Sequence, residues 1–142
     1  MNVQPYLFFE GRAEEALNFY TKALGTQPSM LMRYRDAPEA PPPDKVPPGS
    51  QDKVMHASFR VGDTEVMMSD GFCSGAPKFS GFSLSIGAAD EATARRHFDA
   101  LAAGGSVTMP LGATFWSPCF GMLTDRFGVN WMISVEPKEA RA

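Results

Sequence analysis

Phe115-Trp116-Ser117-Pro118-Cys119-Phe120-Gly121-Met122-Leu123-Thr124-Asp125-Arg126-Phe127-Gly128-Val129-Asn130-Trp131-Met132-Ile133 is the stretch from which the fold is read. It has the form of a strand, a tight turn and a second strand. The turn is Asp125-Arg126-Phe127-Gly128. An aspartate carboxylate caps such turns, and glycine supplies the positive φ that closes them. Beyond the turn the residues alternate. Trp131, Ile133 and Val135 fall on one face, while Asn130, Met132 and Ser134 fall on the other. The first set makes a core face, and the second is available to line a cavity.

Upstream, the same grammar repeats twice. Val3 to Phe9 is apolar and aromatic and reads as a strand ended by Gly11. Arg12 to Leu24 has helical spacing, with Ala13, Ala16, Leu17, Tyr20 and Leu24 in one stripe and Gly25 as the stop. Ser29 to Tyr34, Val54 to Val61 and Thr64 to Ser69 read as strands, the last two joined by a turn at Gly62-Asp63. After a Gly, Ser and Pro-rich stretch at 71–80 the order returns. Phe82 to Ile86 reads as a strand. Asp90 caps a helix running to Ala103, which Gly104-Gly105 ends. Ser106 to Met109, Trp116 to Leu123 and Val129 to Val135 supply three more strands. The pattern β-α-β-β-β therefore occurs twice, with module one at 1–72 and module two at 79–137. One segment breaks the pattern: residues 36–53 carry six of the chain's 12 prolines. Proline lacks an amide donor and fixes φ, so the segment forms neither helix nor inner strand. It reads either as a solvated loop or as a lid over a pocket.

Composition narrows the functional classes. A chain of 142 residues, 44% hydrophobic and 20% charged, is of single-domain size and ordinary globular make-up. A net charge of -3 gives no footprint for nucleic acid or an anionic membrane. No apolar run is long enough to span a bilayer, and the first residues lack a basic segment followed by an apolar one. The cytoplasm is the expected location. Cys73 and Cys119 have no framework spacing, so both are expected as free thiols.

Four further stretches carry a resemblance: Pro5-Tyr6-Leu7-Phe8-Phe9 with Ala13-Glu14-Glu15-Ala16-Leu17-Asn18-Phe19-Tyr20; Met55-His56-Ala57; Val66-Met67-Met68-Ser69-Asp70; and Ser80-Gly81-Phe82-Ser83-Leu84. Together with Thr124-Asp125 and Phe127-Gly128-Val129-Asn130-Trp131-Met132-Ile133, they resemble the PhnB-like proteins of the vicinal oxygen chelate (glyoxalase, bleomycin resistance, dioxygenase) superfamily. The resemblance implies an α+β fold. Its two paired βαβββ modules form a curved mixed sheet around a concave cavity, with the helices outside. In metal-using relatives, two strands of each module supply the ligands, usually His, Glu or Gln. By pattern those positions fall here on Pro5, Met67, Phe82 (or Ser83) and Met132. None of Pro, Met or Phe ligates a hard divalent ion, and thioethers suit soft metals. No metal and no other cofactor is therefore expected. Some relatives carry a methyltransferase label, yet no nucleotide-binding glycine motif supports it here.

The candidate ligand-binding residues are His56, Met67, Ser69, Asp70, Phe82, Trp116 and Met132. His56 is also the candidate catalytic residue, as a general base or a donor in the pocket; the competing reading is a core-edge histidine bonded to backbone or carboxylate. Ser69-Asp70 reads equally as a turn pair or as a polar rim. Phe115 and Trp116 either stack on a ligand or pack the sheet. Trp131 and Asp125 read as structural, and His97 as a surface residue. The nine methionines fill irregular apolar space and adapt to varied ligands. The resemblance then implies a small-molecule binding protein whose cavity lacks the usual ligands. The alternatives are a superfamily enzyme of lyase, isomerase or dioxygenase type, with an atypical metal or acid-base site near His56, and a scaffold that acts through an interaction. Open strand edges, a heavy apolar load and the habits of relatives point to a homodimer. From the proline-rich segment, limited proteolysis is expected to nick within residues 38–50 first; initial cleavage inside Arg12 to Leu24 would contradict that reading.

Overall fold

The computed structural model of the protein describes residues 1–38 and 46–136. Residues 39–45 of the proline-rich segment read as a loop or lid lie outside the described residues. The chain divides into two units, Met1–Lys78 and Phe79–Ala142. Each unit is a four-stranded mixed sheet with one helix, which makes the protein α+β. Among the described residues no helix is long and apolar enough to cross a membrane.

The first unit contains β1 (Tyr6–Phe8), α1 (Ala13–Leu24), β2 (Pro28–Arg33), β3 (Val54–Val61) and β4 (Thr64–Ser69), in sheet order β1-β4-β3-β2. β1 runs parallel to β4, and the other pairings are antiparallel. Register divides the residues between two faces. Leu7 pairs with Met68, Met68 with Ala57, and Phe59 with Val66. These five side chains are buried beneath α1. The helix contributes Ala13, Ala16, Leu17, Tyr20 and Thr21. Thr21 takes the place expected for Leu24, since its hydroxyl donates back to the Leu17 carbonyl at 2.8 Å and is thereby satisfied while buried. The Tyr20 ring stacks on Phe59 at 5.7 Å and tilts against Phe9 at 6.1 Å. Gly25, with φ of 67°, ends the helix in the left-handed conformation.

One buried carboxylate ties this unit together. Asp70 is 1% exposed. Its Oδ1 accepts from the amides of Gly11 and Ala13, and its Oδ2 from the amide of Val54, each at 2.8 Å. The end of the β1–α1 connection, the first turn of α1 and the start of β3 thus meet at one side chain. A short 3-10 turn at Tyr34–Asp36 follows β2, and Arg33 there forks onto Glu14 of α1 at 2.7 and 2.9 Å. Val46, just beyond the undescribed stretch, is buried.

The second unit contains β5 (Leu84–Ala88), α2 (Glu91–Ala102), β6 (Ser106–Gly112), β7 (Cys119–Thr124) and β8 (Asn130–Val135), in sheet order β5-β8-β7-β6. Asp90 caps α2, accepting from the Thr93 amide at 2.7 Å. Trp131, Ile133, Leu123, Ile86 and Phe98 lie in the core. Gly121 lets α2 approach, because a Cβ there would stand 2.8 Å from the Phe98 ring. Asp125 caps the hairpin as the sequence suggests. It accepts from the amides of Phe127 at 2.8 Å and Val129 at 3.1 Å, and from the Trp131 indole at 2.8 Å.

Several strand bounds differ from the reading of the sequence: β1 is shorter than Val3 to Phe9, β6 runs on past Met109 to Gly112, and two strand starts shift for a visible reason. β5 begins at Leu84 rather than Phe82, because Gly81 turns the chain with φ of 79° just before it. β7 begins at Cys119 rather than Trp116, because the Thr114 hydroxyl accepts from the amides of Trp116 and Ser117 and folds residues 114–117 into a turn. His97 also differs from its expected surface position. It is half-buried on α2, and its Nδ1 is buried with no hydrogen-bond partner among the described residues.

Replacing Asp70 by Ala leaves three backbone N–H groups without their acceptor, two of them in buried hydrogen bonds. Urea denaturation is expected to show a loss of roughly 3 kcal/mol or more. A loss under about 1 kcal/mol would show that the carboxylate does not anchor the unit.

Candidate functional site

The strand alternation that buries one face of the first unit's sheet presents the other. Tyr6 pairs with Met67, Met67 with Ser58, and Ser58 with Met30, so one row crosses all four strands. The next row holds Phe8 opposite Ser69, and His56 opposite Met32. One step beyond the Ala57–Met68 pair, Ser69 and His56 share that row. The open face is therefore built of Tyr6, Phe8, Met30, Met32, His56, Ser58, Met67 and Ser69. Tyr6 is 40% and Phe8 51% exposed, and Met67, Met32 and His56 are half-buried.

A polar pair sits within this apolar surface. The Tyr6 hydroxyl lies 3.0 Å from His56 Nδ1, and the ring centroids are 5.6 Å apart. Phe8 stacks on the other side of Tyr6 at 5.0 Å. The phenol reaches His56 by passing over β4, where Ser69 is small and buried. The Ser69 hydroxyl is turned down to the backbone, accepting from the Gly71 amide at 2.9 Å. Partial burial raises the Tyr6 pKa, against a smaller lowering by Ser69. The phenol therefore keeps its proton throughout the neutral range. Nearby, the Tyr34 hydroxyl donates to the Gly71 carbonyl, and burial raises the Tyr34 pKa likewise.

In the second unit, Met132 pairs with Ser85 on one side and with Met122 on the other, and Met122 pairs with Met109. This row is the counterpart of the Tyr6–Met67–Ser58–Met30 row. Trp116, 47% exposed, lies edge-on to Phe120 at 5.3 Å and to Phe115 at 4.7 Å. Phe120 shares the open side of β7 with Met122.

Among the residues singled out from the sequence, His56, Met67 and Ser69 come together on one face. Met132 and Trp116 belong to the open side of the second unit's sheet. Phe82 precedes β5, and its carbonyl accepts from the Asn130 side chain at 3.4 Å. Asp70 is turned away from the open face and holds backbone amides, which is the turn-and-cap reading of that residue. Tyr6 and Phe8 were missed as site residues. Their alternation with the buried Leu7 is the signal that finds them.

In metal-using relatives these strands supply the ligands, and the residues present here do not fit a hard divalent ion. The parallel-strand neighbour of Met67 is Tyr6, and that of Met132 is Ser85. Two thioethers, a protonated phenol and a serine hydroxyl are poor donors for a hard divalent ion. Among the described residues no group of three or more His, Cys, Asp or Glu is placed to hold one. Cys73 and Cys119 are free, and burial raises both thiol pKa values, which disfavours thiolate.

Comparison with known proteins gives the lineage. A family described as 3-demethylubiquinone-9 3-methyltransferase matches residues 1–134. Protein YjdN of Escherichia coli is 35% identical over 140 residues, 95% of either chain. Protein PA1353 of Pseudomonas aeruginosa has a crystal structure matching with a TM-score of 0.83 at 42% identity, covering 96% of this chain and 98% of that one. The PhnB protein of Bacillus cereus matches with a TM-score of 0.77 at 32% identity, covering 95% and 99%. A glyoxalase-related enzyme from Fulvimarina pelagi, 18% identical with a TM-score of 0.61 over 96% and 89% of the two chains, shares the fold. By a match that runs from the first residue to the last core strand, the chain belongs to the PhnB-like family described as 3-demethylubiquinone-9 3-methyltransferase.

Proposed function

We propose that the protein is a small-molecule binding protein, holding a partly apolar, aromatic ligand without a metal ion. The observation that carries this reading is the open face of the first unit's sheet. Tyr6, Phe8, Met30, Met32 and Met67 surround the Tyr6–His56 pair there, and several remain exposed. Aromatic rings give stacking surface, and methionines adapt to the outline of a ligand. A few polar groups set in apolar surroundings are the usual make-up of a small-molecule site. In the second unit, Trp116, Met122 and Met132 are the residues we assign to the same task.

The methyl transfer named in the family description is not carried over. It needs a donor cosubstrate, and nucleotide-containing donors are commonly held by glycine-rich turns between strand and helix. Here the amides of Gly11 and Ala13 at the first such turn are already taken by Asp70. At the second, Asp90 takes the Thr93 amide.

The neutral aromatic probe N-phenyl-1-naphthylamine tests the binding reading. Its fluorescence is expected to rise with saturable micromolar binding, unchanged after EDTA treatment. Met67→Lys is expected to weaken that binding at least about tenfold by placing a charge in the apolar row. Loss of binding on metal removal, or no binding at all, would overturn the reading.

We also propose a cytoplasmic homodimer with an isologous interface. Among the described residues β2 and β6 are edge strands, open to pairing with another chain, and β6 is exposed along most of its length. Light scattering is expected to give about 31 kDa, twice the 15.4 kDa chain. The single-chain mass at micromolar concentration would contradict it.

A further inference from the structure

The open face carries one arrangement that apolar binding does not require. Tyr6 and His56 are 50 positions apart, on strands separated by β4, yet their side chains meet at 3.0 Å. Phe8 holds the Tyr6 ring from one side at 5.0 Å, and the low Ser69 side chain clears its path. A phenol is a strong donor and a neutral imidazole nitrogen a strong acceptor, which favours a hydrogen bond from Tyr6 Oη–H to Nδ1. The burial that keeps Tyr6 protonated supports the same direction.

This direction favours one imidazole tautomer. With Nδ1 accepting, the ring proton is on Nε2. Nε2 has no hydrogen-bond partner among the described residues. It is not sealed off either, since the only buried side-chain nitrogen or oxygen lacking a partner among them is His97 Nδ1. Its row neighbours, Met32 and Ser69, offer it no competing charge. Further along the same face stand Arg60 and Glu65, paired across β3 and β4.

Resting on the binding reading above, we propose that His56 Nε2–H is the polar anchor of the site and that Tyr6 is the positioning residue that fixes its tautomer. The preferred ligands are then planar aromatic molecules bearing an anionic oxygen, such as a phenolate, enolate or carboxylate. The ring system would lie along Phe8, Met32 and Met67, and the oxygen would accept from Nε2. A hydrogen bond between a donor and an ionised acceptor is about twice as strong as a neutral one. The anion is therefore selected over its neutral counterpart.

Two probes with the same ring skeleton separate this proposal from the reading beneath it: 1-anilinonaphthalene-8-sulfonate, an anion, and N-phenyl-1-naphthylamine, its neutral counterpart. Wild-type protein should bind both, the anion more tightly. His56→Leu should weaken the anion roughly tenfold while changing the neutral probe less than about twofold. Tyr6→Phe should weaken the anion in the same direction. It should also shift the imidazole ¹⁵N resonances of His56 away from the Nε2–H tautomer toward a mixture, a change that a merely structural role for Tyr6 would not produce. Arg60→Gln should leave the ratio of the two affinities unchanged. Variants that keep the wild-type melting temperature but lose neither the ratio nor the tautomer signature would overturn the anchor and leave the binding reading standing. An anion preference that moves with Arg60 instead of His56 would do the same. Failure of wild-type protein to bind either probe would overturn both.

Discussion

The first unit depends on a carboxylate that has left water. Asp70 is almost wholly buried and accepts three backbone N–H bonds, from Gly11, Ala13 and Val54. A buried polar group in such a place is stable only when its acceptor capacity is used. Using it fixes where α1 begins, how the chain leaves β1 and where β3 enters the sheet. The strands thus fixed are the ones that carry Tyr6, Phe8, His56 and Met67. The second unit has its own buried carboxylate in Asp125, which closes the β7–β8 turn and holds the Trp131 indole. In neither unit does the carboxylate belong to the open face. Both serve to hold that face in register.

Register then divides the work of each strand. In β4, Val66 and Met68 close the core while Met67 faces outward. In β8, Trp131, Ile133 and Val135 are buried while Asn130, Met132 and Ser134 are half-buried. A shift of one residue would exchange the two sets. Among the described residues the outward sets carry thioethers and aromatic rings, and no cluster of three or more His, Cys, Asp or Glu placed to hold a metal ion. On the proposed reading, such a face attracts flat, polarizable molecules and His56 supplies the direction.

Much of this was legible before any coordinates. The alternation of β3, β4 and β8, the helix stops at Gly25 and Gly104, and the caps at Asp90 and Asp125 are local, and local chemistry is written in adjacent residues. The parts that were not legible are long-range. Nothing near Asp70 in sequence announces that its oxygens meet the amides of residues 57 and 59 positions away. Nothing near His56 points to Tyr6, because their contact depends on parallel pairing of β1 with β4 and on the small size of Ser69. Phe82 and Trp116 were taken into strands that begin two and three residues later, since turns at Gly81 and Thr114 displace strand starts without altering apolar content.

The central claim is that the outward residues of the first unit's sheet, and not its core residues, contact a ligand. Methionine-methyl ¹³C NMR tests this directly, because β2 and β4 carry methionines on known faces. Titration with N-phenyl-1-naphthylamine is expected to shift the methyl signals of Met30, Met32 and Met67 in a saturable way. The signal of Met68, fully buried on the opposite face, should stay in place. Saturable binding that leaves Met30, Met32 and Met67 unmoved would contradict the account.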